Sequence, residues 1–205
     1  MARRRLTQEE RKKETRQLLL ESAVETFAQL GFHGASVDKI AEFAGFSKGA
    51  VYAHFQSKEE LFLAILEQQM QLHVYKIKQV IEQQHSLSQF IETMDSYFDS
   101  ARQESKRWSI LNMEFLLYAM REESARVKWS DMISQTINQI SQSIGNLLAT
   151  EKHGSTLSAD EMAWTLLSLE NGMAVFYSIS EDRVPLNLYG KALQNIFLFP
   201  KPGTS

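Results

Sequence analysis

The chain has 205 residues, 43% of them apolar, which is enough for one sizeable core and argues against disorder and fibrous classes. Cysteine is absent, which rules out disulfides and thiolate metal sites. The net charge of −3 is unevenly shared: residues 1–58 hold ten Lys and Arg against seven Asp and Glu (+3), and the remainder hold twelve against eighteen (−6), so that only the head suits a polyanion.

All three prolines lie late, at 185, 200 and 202, so nothing interrupts helix formation before residue 185. An all-α chain of about nine helices is expected. The N-terminus MARRRLTQEERKKETR carries a basic arm, Arg3 to Arg5, that has the charge to reach into a DNA groove. Leu19, Ala23, Phe27 and Leu30 repeat at helical spacing, which predicts a first helix over about 8–30, stopped by Gly31. Ser36 is placed to cap VDKIAEFA, in which Val37, Ile40, Ala41 and Ala44 share one face, and Gly45 ends it. Ser47 caps a short third segment. Ser57 caps a long fourth helix, with Glu60 at the capping-box position. Further helical patterns cover about 87–103, 106–120, 124–150, 159–180 and 186–198, with breaks at 85–86, 104–105, 151–156 and 181–185.

Ala41, Gly45 and Val51 have the spacing of a helix-turn-helix: a small residue for close approach, a glycine in the turn, and a branched apolar anchor for the second helix. The third segment turns Val51 and Phe55 inward and presents Ser47, Lys48, Gly49, Tyr52 and His54. Hydroxyls, a cation and bare backbone suit phosphate positioning and base-edge contact. A core position for Tyr52 or His54 is the structural alternative. Lys58 opens the fourth helix, where a cation opposes the helix dipole and calls for a compensating anion such as phosphate.

LLLESAVETFAQLGFHGASVDKIAEFAGFSKGAVYAHFQSKEEL resembles the N-terminal domain of the TetR/AcrR family of bacterial transcriptional regulators, over about residues 18–66. The resemblance implies an all-helical cytoplasmic homodimer with a DNA-binding domain over 1–58 and a ligand-sensing, dimerising domain over 59–205. It implies backbone contacts to operator DNA from Ser36, Ser47, Lys48, Tyr52, His54 and Lys58, with Gly49 as the point of approach to base edges. Phe46 and Ala53 depart from the family's usual smaller and larger residues, which bears on the base sequence read.

The remaining chain is read from its own residues. The segment SADEMAWTLLSLENGMAVFYSIS is apolar on two sides and so should be sandwiched. With Ser168 and Gly172 as a shallow strip, and with the last helix, it forms the expected four-helix dimer interface, to which Leu166, Tyr189, Leu193 and Ile196 also contribute. Met94, Phe98, Trp108, Met113, Tyr118 and Trp129 suit a cavity for a small, largely apolar effector. Met132, Trp164 and Phe176 extend that set, and Glu114 and Glu170 would draw a cationic ligand. A fatty-acyl or other anionic effector is the competing expectation.

The five histidines fall in no metal-ligand spacing, and the sequence contains no nucleophile elbow or Gly-rich phosphate loop. Catalysis, a cofactor and a metal are therefore not expected. No apolar run reaches the ~18 residues of a membrane span, so no membrane partner is expected. The leading reading is a ligand-released repressor, with an activator or a helical interaction protein as alternatives.

Overall fold

The computed structural model describes residues 7–150, 155–180 and 183–198, and of residues 101–105 the backbone alone. Among the described residues there are eight α-helices and no strand: α1 (Gln8–Gly34), α2 (Val37–Ala44), α3 (Lys48–Tyr52), α4 (Lys58–Glu82), α5 (Leu87–Arg121), α6 (Glu123–Leu148), α7 (Ala159–Ser180) and α8 (Leu188–Phe197). The basic arm at Arg3 to Arg5 and residues 151–154 and 181–182 of two expected breaks lie outside the described residues.

The chain divides into two compact units, Met1–Gln69 and Met70–Ser205. Whereas a division after Lys58 follows the start of a helix, the packing assigns the first three turns of α4 to the head. Phe62 of α4 is the reason: its ring lies 4.7 Å from Phe27 and 5.0 Å from Phe32, so the head's aromatic core needs it. Burial of three such rings is a large part of what holds a unit this small together.

In the head, local sequence sets each boundary. Thr7 and Glu10 form a reciprocal capping box at the start of α1. Gly31 at φ 71° breaks that helix where expected, one turn before its end. Leu19, Leu20, Ala23 and Phe27 are buried, while Leu30, expected beside them, is exposed. α2 ends in a Schellman arrangement: Phe46 N–H donates to the Ala41 carbonyl, Gly45 N–H donates to Glu42, and Gly45 takes the left-handed conformation. At the start of α4, the Ser57 hydroxyl accepts from Glu60 N–H, but the Glu60 carboxylate reaches one residue beyond the box to accept from Gln56 N–H.

In the second unit, the break expected at Glu104–Ser105 is absent and α5 runs for 35 residues. With no glycine or proline there, one serine lacks the strength to end a helix supported on both sides. Val74, Ile77 and Ile81 of α4 share a core with Phe90, Met94, Ile140, Ile144, Leu166 and Leu193. α8 has no capping side chain of its own, because Asn187 makes no cap hydrogen bond. Asp95 of α5 replaces it: its carboxylate accepts from Gly190 N–H at 2.7 Å. A Cβ on Gly190 would lie 2.5 Å from the Asp95 carboxyl carbon, so glycine is what lets the carboxylate in. Asp95→Ala is expected to lower stability by about 1 kcal/mol, the usual cost of a lost cap, measured by urea unfolding. An unchanged midpoint would mean that α8 is held by its apolar face alone.

Candidate nucleic-acid interface

The helix-turn-helix is assembled from α2, the turn at Gly45 and α3. Val37, Ile40 and Ala41 of α2, with Val51 and Phe55 behind α3, are buried and fix the two helices to α1. The Ser22 hydroxyl adds a tie by donating to the Ile40 carbonyl at 2.9 Å. α3 is only five residues long, and Ser47 caps it by accepting from Ala50 N–H at 3.2 Å. Such a segment is stable only because it is bolted down from behind.

The outward face carries the expected groups. Ser47, Lys48, Gly49 and Tyr52 are exposed; Tyr52 is 49% exposed, which removes the core alternative for its ring. Ser36 caps α2 by accepting from Lys39 N–H, and its hydroxyl hydrogen remains available as a donor. His54 is half-buried; burial first, then the charges of Lys12 and Arg16, push its pKa down and keep the ring neutral at physiological pH. Lys12 and Arg16 escaped the sequence reading. Their spacing of four places both on one side of α1, and the Arg16 guanidinium sits 5.0 Å over the Phe55 ring. They extend the positive face beyond α3.

Two cations have partners within the head. Lys48 Nζ lies 2.8 Å from an Asp38 oxygen, and that hydrogen bond and charge raise its pKa. Lys58 was expected to need a phosphate. Instead its ammonium donates to the carbonyls of Phe32 (2.7 Å) and Ala35 (3.2 Å) and sits 4.4 Å over the Phe32 ring. The compensating negative charge is the carbonyl end of α1, an ordinary use of lysine at a helix C-terminus. Two of its three donors are thereby engaged.

Gly49 is informative because nothing in the head requires it. A Cβ there would meet only the Ser47 hydroxyl at 3.7 Å, an ordinary contact. Among the described residues, no group of three or more His, Asp or Glu could hold a metal ion, and no helix is long and apolar enough to cross a membrane.

Residues 19–65 match the family pattern described as bacterial regulatory proteins, tetR family. Over that segment the chain is similar to the tetR family. Curated relatives include the HTH-type transcriptional activator FasR of Mycolicibacterium smegmatis, 33% identical over 99 residues (48% of this chain, 45% of that protein). The HTH-type transcriptional regulator RutR of Escherichia coli is 42% identical over 60 residues (29% of this chain, 28% of that protein). This chain thus spans less than half of either relative. Among solved structures, Salmonella enterica GusR superposes with a TM-score of 0.74 at 20% identity, over 96% of this chain and 100% of that one. FadR from Bacillus subtilis in complex with stearoyl-CoA gives 0.70 at 15% identity, over 87% and 95%. At such identities the likeness is one of fold alone.

In the second unit, the residues expected to line a cavity separate into three groups. Met94 and Phe98 are core, and Trp108, Glu114, Tyr118, Trp129 and Met132 are half-buried, with the Trp129 ring 5.0 Å from that of Phe115 and tilted 57° to it. Met113, Trp164 and Phe176 face outward and do not line an interior: Trp164 is 47% and Phe176 62% exposed. Glu170 bonds His73 of α4 at 3.1 Å, a pair 97 residues apart in sequence. Among the described residues, two buried polar atoms lack partners, Trp129 Nε1 and Tyr189 Oη.

The expected interface residues also divide. Leu166, Tyr189 and Leu193 are buried in the protomer's own core and have no surface to offer a second copy. Ser168, Gly172 and Ile196 are exposed, and a Cβ on Gly172 would meet nothing within 4 Å. The misassignment has a simple cause. α7 is apolar on several sides, and periodicity does not say which side meets its own chain.

Proposed function

We propose that the chain is a dimeric, sequence-specific transcriptional regulator that binds double-stranded operator DNA through α3. The observation that carries this reading is the bareness of Gly49. An exposed glycine costs the short helix stability and relieves no crowding inside the head, so its use lies with something that must approach closely from outside. Around it, Ser47, Lys48 and Tyr52, with Ser36 and His54 at the flanks, supply donors for phosphates and base edges. The third donor of Lys58 extends that phosphate-contacting set. Two such heads, one per protomer, would enter successive major grooves about 34–36 Å apart.

The dimer reading rests on the outer face of α7. Trp164, Ser168, Gly172, Phe176 and Ile179 follow one another at helical spacing, all exposed, and Leu188 and Ile196 of α8 add apolar surface. A stripe of this kind on a monomer marks a contact surface. We assign the second unit, 70–205, the sensing role, with a small, largely apolar effector. Among the described residues no lysine or arginine is buried, and Glu170 contributes a carboxylate, which disfavours a buried anionic headgroup. Ligand-released repression is the working mechanism: effector binding favours one head spacing over another.

Gly49→Ala tests the reading because its two effects have opposite sign. Thermal stability is expected to rise by up to about 1 kcal/mol, since alanine is the better helix former. Affinity for a duplex selected by the wild-type protein from a random pool should fall by about tenfold, read by fluorescence anisotropy, since a bidentate base contact is worth about 1–3 kcal/mol. Stability and affinity rising together would show that no DNA surface approaches Gly49.

A further inference from the structure

We infer that Asp38 is a specificity-determining residue: by holding Lys48 in an ion pair on the DNA-facing side of the head, it suppresses sequence-independent phosphate binding. This rests on the DNA-binding reading above. The geometry is direct. Lys48 and Asp38 lie ten residues apart, on opposite sides of the turn, with Nζ and Oδ2 at 2.8 Å and side chains 52% and 64% exposed.

An exposed pair of this kind adds little to folding, and neither helix needs it. Asp38 already suits the positive start of α2. Lys48 is the first residue of α3, where a cation opposes the dipole. The carboxylate therefore compensates a lysine that is awkwardly placed for the protein but well placed for DNA. A phosphate that Lys48 contacts through a remaining donor is held beside the Asp38 carboxylate, and one that displaces Asp38 leaves that carboxylate facing the polyanion uncompensated.

Both effects subtract from the sequence-independent part of binding, which comes from phosphate contacts. At a correct site the loss is offset, because an aspartate carboxylate accepts from the exocyclic amine of a cytosine in the major groove. Random DNA offers that amine only by chance. The residue thus separates operator from background in the way charged groups do at other interfaces, by penalising the wrong partner.

The test is a double-mutant cycle read through salt dependence: wild type, Asp38→Asn, Lys48→Ala and the double variant, each titrated with random-sequence duplex and with the wild-type-selected duplex at 50–200 mM salt. Glu42→Gln, a charge change of the same size at an exposed position of α2, reports the general electrostatic effect. Freed of its partner, Lys48 should gain about one phosphate contact in Asp38→Asn. The log–log salt slope on random duplex then steepens by about 0.9, an extra loss of about 3.5-fold across that salt range. Random-duplex affinity rises at low salt while selected-duplex affinity rises less or falls. In the Lys48→Ala background, Asp38→Asn should do no more than Glu42→Gln does.

Equal gains on both duplexes, or a gain larger than that of Glu42→Gln that persists without Lys48, would overturn the assignment while leaving the DNA-binding reading intact. Failure of the wild type to bind either duplex would instead remove that reading itself.

Discussion

Phe176→Glu is expected to convert the proposed dimer to a monomer in sedimentation equilibrium and to lower its affinity for a duplex with two half-sites by about 100-fold or more. The side chain sits in the middle of the exposed stripe on α7, flanked by Gly172 and by Ile179, which is 76% exposed. Being 62% exposed itself, Phe176 supports little within the protomer, so folding stability should change by no more than about 0.5 kcal/mol. In a two-fold dimer each substitution occurs twice, at facing positions. Two glutamates would then be desolvated against apolar surface, with no cation among the stripe residues to pair them. Loss of affinity follows from geometry, because a single head forfeits the effective concentration that a tethered second head supplies. An unchanged mass at micromolar concentration, with the fold intact by circular dichroism, would place the partner surface elsewhere.

How much of this was readable in the sequence depends on how local the cause is. Ser36, Ser47, Gly31 and Gly45 act on backbone groups within a few residues, and each acts as its residue type requires. The head was therefore legible down to single caps. The internal partners of Lys58, the carbonyls of Phe32 and Ala35, were not legible because they lie more than twenty residues away. The pairing of Asp38 with Lys48 went unread for the same reason on a smaller scale: the partner is across a turn. In the second unit, the apolar pattern specified helices without specifying neighbours. Leu166 and Phe176 share one helix and similar hydrophobicity, yet the first is in the core and the second faces out. Only packing separates them.

The two bare glycines belong to one class of signal. Gly49 and Gly172 are exposed, and a Cβ at either meets no crowding within the chain. Gly190 is the contrast, since an internal carboxylate occupies the space its side chain would take. A glycine that the protomer does not need points to a surface that something else approaches. Sequence alone treats all three alike.

The His73–Glu170 pair is expected to make the second unit more stable at pH 6 than at pH 8.5, and His73→Gln to remove that difference. His73 on α4 and Glu170 on α7 bond at 3.1 Å, with a quarter or less of either side chain exposed. Burial is the largest single influence on the imidazole and pulls its pKa down, but the charge of Glu170 and its hydrogen bond together outweigh burial and the opposing charge of Lys76. The folded pKa therefore lies above the ordinary 6.5. Burial, then the charges of Glu170 and Asp95, hold the nearby Tyr189 phenol protonated throughout this range.

A raised folded pKa fixes the sign. The pair's contribution is fully present below about 6.5 and fades as pH rises through the folded value. Loss of one partner of a charged hydrogen bond costs about 2–3 kcal/mol where the other is left partly buried. His73→Gln should thus lower the melting temperature by several degrees at pH 6. The deficit should narrow toward pH 8.5, where the wild-type ring is losing its charge. A deficit of constant size across that range would mean that the imidazole acts through packing and a neutral hydrogen bond, and that α4 and α7 are tied without an ion pair.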